Sequence, residues 1–74
     1  MPKLPLLSAK EIVKILKKMG FELKRQRGSH MFFAYLDGRT TIIPNHPGEK
    51  IDRGLLNKII KHDLQISRYD FLNY

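Results

Sequence analysis

Two short turn signals constrain the fold of this chain more than any other feature of its sequence. They are Gly28-Ser29 and Asp37-Gly38. Asp-Gly is the strongest short hairpin signal in the chain, and it predicts positive φ at both turn residues. The two turns separate three short segments, residues 21–27, 30–36 and 39–43. Pro44 stops the third segment. Segments of this kind joined by tight turns predict a three-stranded antiparallel meander.

The second strand is apolar on both faces, so its pattern alone does not say which face the helices cover. Met31 and Phe33 lie on one face, and His30 and Phe32 lie on the other, because side chains alternate along a strand. An exposed ring would suit base stacking, whereas a buried ring would only pack the core. In the first strand, alternation predicts that Leu23 points inward.

A helix is predicted on each side of these strands. Ser8 and Glu11 form a capping-box pattern at the start of the first helix, and Gly20 marks its end. The second helix is predicted from about residue 52 to residue 62, and a short third helix is predicted to start at Ser67. The two long helices each carry one apolar stripe at helical spacing: Ala9, Ile12, Val13, Leu16 and Met19, then Ile51, Leu55, Leu56, Ile59 and Ile60.

The predicted order is therefore helix, three strands, helix. Two amphipathic helices must bury their apolar stripes against the same sheet, which leaves its other face open to solvent or to a ligand. We predict an α+β two-layer sandwich with a three-stranded antiparallel sheet and two helices on one face. A chain of 74 residues is short enough to be a single domain, residues 1–74.

The composition of the chain limits how the fold can be stabilised and in which cellular compartment we expect the protein. The chain has no cysteine, so disulfides and thiolate zinc sites are excluded, and a reducing compartment fits. No apolar run approaches the ~20 residues of a membrane span. The first seven residues, which include Pro2 and Pro5, have too short an apolar core for a secretory signal. We expect a cytoplasmic protein with no membrane association.

The net charge is +7, with 14 lysines and arginines against 7 acidic residues. Such an excess on a small surface favours polyanions, and nucleic acid is the first expectation. An anionic membrane surface or an acidic protein also fits the charge.

His30 is the strongest candidate for chemistry. It follows the Gly28-Ser29 turn and lies close in sequence to Lys24, Arg25 and Arg27. An imidazole titrates near neutral pH and can take a proton from a ribose 2′-hydroxyl, while arginines hold the phosphate. RNA supplies its own nucleophile, so we expect no metal and no cofactor. The alternative is a partly buried, hydrogen-bonded histidine with a structural role.

The other two histidines carry weaker expectations. His46 lies in a loop and would be a second acid-base or phosphate-binding group if that loop folds back over the sheet. His62 lies in the last turn of the second helix, where a cation suits the helix dipole, so we interpret it as structural. The spacing of the three histidines does not match a metal site.

Together these segments resemble the HicA (YcfA-like) toxin family. The resemblance rests on Gly28-Ser29-His30 before an aromatic strand, on residues 43–51 (IPNHPGEKI), on residues 54–60 (GLLNKII), and on the closing residues 64–72. It extends from Ser8 to about Leu72. It implies a fold like that of double-stranded-RNA-binding domains, with the order α-β-β-β-α.

The resemblance also implies a function. Members are mRNA interferases of type II toxin–antitoxin systems, in which the histidine of the Gly-Ser-His motif is catalytic, and this histidine corresponds to His30. RNA cleavage independent of the ribosome, translation arrest and growth inhibition would follow. The partners would be mRNA and a cognate HicB-type antitoxin that covers the histidine, and oligomers could form through the toxin–antitoxin complex. The motif does not identify a second catalytic group, so phosphate-binding roles for Lys24, Arg25, Arg27, Ser29 and His46 rest on charge and position alone.

Two other functions fit the same residues. A non-catalytic RNA-binding module would show salt-dependent binding without strand scission. A protein-interaction domain would instead present its basic face to an acidic partner.

Overall fold

The computed structural model describes residues 4–74, and the first three of the seven residues considered above as a secretory signal lie outside them. The elements follow the predicted order: α1 (Ala9–Met19), β1 (Glu22–Arg27), β2 (His30–Ala34), β3 (Thr40–Pro44), α2 (Arg53–Lys58), a π-helical segment (Ile59–Leu64) and α3 (Arg68–Leu72). The strands form one antiparallel sheet in the order β1-β2-β3. The predicted α+β sandwich is confirmed.

Helix α1 begins and ends where its caps predict. The Ser8 hydroxyl accepts the Glu11 amide at 3.2 Å, and the Glu11 carboxylate accepts the Ser8 amide at 3.0 Å. Gly20 ends the helix with φ 103°, a left-handed conformation that favours glycine. An ideal Cβ at Gly20 would lie only 2.7 Å from Cε1 of Tyr35, so the helix end also lies tightly against the aromatic residue after β2.

The hydrophobic core lies between the helices and one face of the sheet, which we call the covered face. This face presents Met31, Phe33, Thr41 and Ile43, all of them buried. The helices contribute fully buried apolar side chains opposite them: Ile12, Leu16, Leu56, Ile59, Ile60, Leu64 and Phe71. Packing against these side chains decides the question that the two-sided apolar pattern of β2 left open.

The second helix starts where it was predicted, but its last six residues, Ile59–Leu64, are π-helical instead of α-helical. It begins as expected, with the Asp52 carboxylate capping the amides of Gly54 and Leu55, but it widens into the π-helical segment at Ile59. The Gln65 amide closes this segment on the Ile60 carbonyl five residues back. Thr41 binds Asp63 at 2.9 Å, and Arg39 donates to the Leu64 carbonyl. These tertiary hydrogen bonds tie the segment to the sheet.

The β2–β3 turn also differs from the prediction. Positive φ occurs at Gly38 (98°) but not at Asp37. The Gly38 amide donates to the Tyr35 carbonyl at 3.0 Å, and the Tyr35 amide donates to the Arg39 carbonyl at 2.9 Å. The connection is therefore a three-residue loop with glycine in the left-handed position, and β2 ends at Ala34 instead of residue 36.

Candidate functional site

A tight turn presents His30 at the start of β2. Gly28 has φ 59°, whereas Ser29 keeps a negative φ, which is the pattern of a type II′ hairpin turn. The Gln26 side chain donates to the Gly28 carbonyl at 3.2 Å, and the Asn45 amide donates to the Ser29 carbonyl at 2.6 Å. The turn is thus held from both sides, and the exposed His30 follows it directly.

A β-bulge in β1 decides which basic side chains share a face with His30. Leu23 pairs with Phe33 and Arg25 pairs with Phe32, so Lys24 is an extra residue in the ladder. A one-residue slip moves every later side chain to the opposite face of the sheet. Without the bulge, Arg25 would share the face of Phe33 instead of that of Phe32.

The face opposite the helices, which we call the open face, therefore gathers the basic residues around the histidine. Arg27 pairs with His30, and Arg25 pairs with Phe32, and paired residues project to the same side. Leu23 pairs with Phe33 and so projects to the covered face, as alternation predicts, but its side chain is still 46% exposed at the edge of the sheet beside the bulge.

The cations on the open face differ in how they are held. The Arg25 guanidinium lies 4.6 Å from the centroid of the Phe32 ring. Lys24 makes an exposed ion pair with Glu22 at 3.8 Å, which contributes little to stability. Among the residues that the structure describes, no carboxylate forms an ion pair with Arg25 or Arg27. Both guanidinium groups remain available to an anion.

His46 lies in a different environment from His30. It lines a cleft of about 470 Å³ between the start of α1 and the loop after β3, together with Lys10, Val13 and Met31. Met31 belongs to the covered face, and His30 is not among the residues that line the cleft. The structure therefore brings Arg25 and Arg27 to the face of His30, while the role of His46 stays a prediction.

Ser29 and His62 differ in exposure and in position. Ser29 is half-buried in the turn, and its carbonyl is already engaged by Asn45. The His62 side chain is 80% exposed and lies 3.5 Å from the Asp63 carboxylate, away from the open face. Within residues 4–74, no three side chains of His, Cys, Asp or Glu cluster as metal ligands would. None of the helices in this part of the chain has the length and hydropathy of a bilayer-spanning helix.

An exposed imidazole on the same face as two guanidinium groups can bind a phosphate and exchange a proton with it. The guanidinium groups match the geometry of a phosphate, and the imidazole can exchange a proton with a group on it. The fold and this face define a small basic α+β domain with a histidine-bearing open sheet.

Comparison with known families assigns the domain to one of them. The family model described as the HicA toxin of bacterial toxin–antitoxin systems matches residues 9–63. The match covers most of the 74 residues, and the chain belongs to this toxin family. Membership implies a cognate antitoxin as partner. The search of curated proteins returned no match.

Proposed function

We propose that this toxin is an endoribonuclease that cleaves mRNA, with His30 as its acid-base group. The observation that carries the proposal is the meeting of His30, Arg25 and Arg27 on one exposed face, which depends on the bulge at Lys24. Family membership supports a toxin, and the face supplies a chemical means of toxicity.

The reaction needs no nucleophile from the protein. Neutral His30 takes the proton of a ribose 2′-hydroxyl, and the 2′-oxygen attacks the adjacent phosphorus. The bond from phosphorus to the 5′-oxygen breaks, and that oxygen takes a proton from water or from the imidazolium. The products are a 2′,3′-cyclic phosphate and a 5′-hydroxyl end.

The arginines act on charge. Negative charge grows on the phosphate oxygens as the bond breaks, and fixed cations aimed at it lower the barrier. Arg25 and Arg27 would supply these cations, which their position on the face of His30 supports. Lys24 and Ser29 would contact neighbouring parts of the RNA backbone, and His46 would do so only if RNA extends past the sheet edge to its cleft.

Cleavage of mRNA would also explain how the protein acts as a toxin. Loss of mRNA in the cytoplasm would stop translation and growth. The antitoxin, of the HicB type, would restrain the enzyme by covering the open face and its histidine. Because all the elements named above pack on one core, residues 1–74 would act as one domain.

The deciding experiment compares wild type with His30→Ala on a long unstructured RNA in EDTA. We expect cleavage to fall by about 10²–10⁴-fold, the usual contribution of a general acid-base group. His62→Ala is the matched control, since it removes an exposed imidazole from the helical layer and should leave cleavage unchanged. Mass spectrometry of wild-type products should find 2′,3′-cyclic phosphate ends.

Two outcomes would overturn the proposal. Undiminished cleavage by a folded His30→Ala protein would remove His30 from the reaction. Binding by wild type without any cleavage would favour the non-catalytic RNA-binding module.

A further inference from the structure

Next to His30, the open face carries an aromatic side chain that the cleavage chemistry does not use. Phe32 is half-buried and borders a shallow depression of about 240 Å³, which is also lined by Lys24, Ala34, Thr40 and Ile42. Ile42 pairs with Phe32 across the sheet and is 45% exposed. An apolar floor of this kind on an otherwise basic surface is costly to leave in water.

One side of the Phe32 ring is covered by the Arg25 side chain, and this contact is weak. The Arg25 guanidinium lies over it at 4.6 Å, and Arg25 itself is exposed. A cation–π contact at an exposed site is worth about 0.5–1 kcal/mol. Stacking of a nucleic-acid base on an aromatic side chain is worth about 1–3 kcal/mol. A stacked base would therefore be the stronger partner of the ring, and its binding would release the guanidinium to contact phosphate.

We infer that Phe32 and this depression hold one unpaired base of single-stranded RNA, beside the phosphodiester at His30. The inference rests on the proposed function for the identity of the ligand. His30 and Phe32 are alternate residues on the same face of one strand, which places their Cα atoms about 7 Å apart. That spacing is comparable to one nucleotide of an extended RNA strand.

Charge complementarity selects the occupant. Lys24 lines the depression, Arg25 lies over the Phe32 ring, and Arg27 pairs with the neighbouring His30. The ligand must therefore combine a flat apolar face with a neighbouring anion. A nucleotide has both. In a duplex, both faces of each internal base are already stacked on neighbouring bases, so the subsite accepts single strands and rejects helices.

The test measures binding in a His30→Ala background, so that its result does not depend on cleavage. The probes are fluorescein-labelled oligoadenylate and the same ribose-phosphate chain without bases. Phe32→Leu should weaken oligoadenylate binding by about tenfold and leave binding of the baseless chain unchanged. Phe32→Tyr retains the ring and should bind within about twofold of the parent.

Tyr69→Leu is the control for loss of an exposed aromatic, because Tyr69 is 67% exposed on α3. It should bind both probes like the parent. A second measurement needs no substitution at Phe32: NMR signals of its ring protons should shift on addition of oligoadenylate and not of the baseless chain. This measurement decides the matter if Phe32→Leu does not fold.

The outcomes separate the two proposals. Base-dependent binding through Phe32 without cleavage by wild type would support the subsite and overturn the nuclease. Two results alongside cleavage by wild type would overturn the subsite alone. In the first, Phe32→Leu weakens binding of oligoadenylate and of the baseless chain equally. In the second, Phe32→Leu binds oligoadenylate like the parent and the Phe32 ring signals do not shift.

Discussion

The hydroxyl of Thr41 donates a 2.9 Å hydrogen bond to the carboxylate of Asp63, and this contact joins the covered face of the sheet to the π-helical segment. Thr41 is the buried polar residue of the described core, at 3% exposure. Its hydroxyl donates to Asp63, whose side chain is only 20% exposed. The pair therefore satisfies two polar groups that would otherwise be desolvated at a cost.

Replacing Thr41 with valine should destabilise the protein by about 1–3 kcal/mol, because the Asp63 carboxylate loses a donor in a partly buried position. Thr41→Ser retains the hydroxyl and should cost less. Urea unfolding at neutral pH measures both free energies. Equal stability of Thr41→Val and wild type would show that water replaces the hydroxyl at no cost.

Gly20 and Gly38 form a matched pair that separates backbone strain from steric contact. Their φ angles are 103° and 98°, but an added Cβ meets Tyr35 at 2.7 Å in Gly20 and meets nothing within 4 Å in Gly38. Tyr35 has limited freedom to move away, since its ring packs on Phe21 at 5.3 Å and under Arg39 at 5.1 Å.

Gly38→Ala should therefore cost about 1–2 kcal/mol for the left-handed backbone alone. Gly20→Ala pays that cost and a further 1–3 kcal/mol, roughly, for overpacking against Tyr35. Thermal and urea unfolding of the two variants give the difference directly. Equal losses would mean that the Tyr35 ring shifts without cost.

Glu11 links the stability of α1 to pH. The hydrogen bonds from the Ser8 amide and the Ser8 hydroxyl, followed by the Lys50 ammonium at 3.3 Å, lower the pKa of Glu11. A carboxyl with a lowered folded-state pKa stabilises the fold above its unfolded-state pKa, and this contribution is lost as the pH falls through the folded-state pKa.

We expect Glu11→Gln to reduce the loss of stability that wild type shows as the pH falls below about 4.5, the ordinary value for glutamate. Urea midpoints between neutral pH and pH 3 measure the effect. The effect should be small because the carboxylate is exposed and screened by solvent. Parallel curves for the two proteins would assign the pH dependence to other carboxyl groups.

Arg27 should contribute one phosphate contact to RNA binding. In the His30→Ala background, Arg27→Gln should reduce the slope of log K against log salt by about 0.7 for single-stranded RNA. Lys61→Gln removes an exposed cation from the helical layer and is the control, with an unchanged slope expected. Equal effects of the two variants would indicate that net charge, and not the open face, drives binding.

Much of this architecture was predictable from local signals. The capping box at Ser8, the glycine cap at Gly20 and the apolar stripes of the helices act within one or two helical turns, so nearby residues suffice to predict them. His30 was identifiable as a candidate from its position after a turn and near three cations. The predicted boundaries failed where distant contacts intervene, as in the π-helical segment that Thr41 and Arg39 bind.

The sequence by itself determined the order of the elements and the presence of a histidine at the start of an aromatic strand. Only the tertiary structure decided that Phe32 is on the open face and Phe33 is buried, because both faces of β2 are apolar and packing against the helices selects one. It also decided, through one extra residue at Lys24, that Arg25 and Arg27 join His30. A bulge depends on how two strands pair, and the pattern of either strand alone does not contain it.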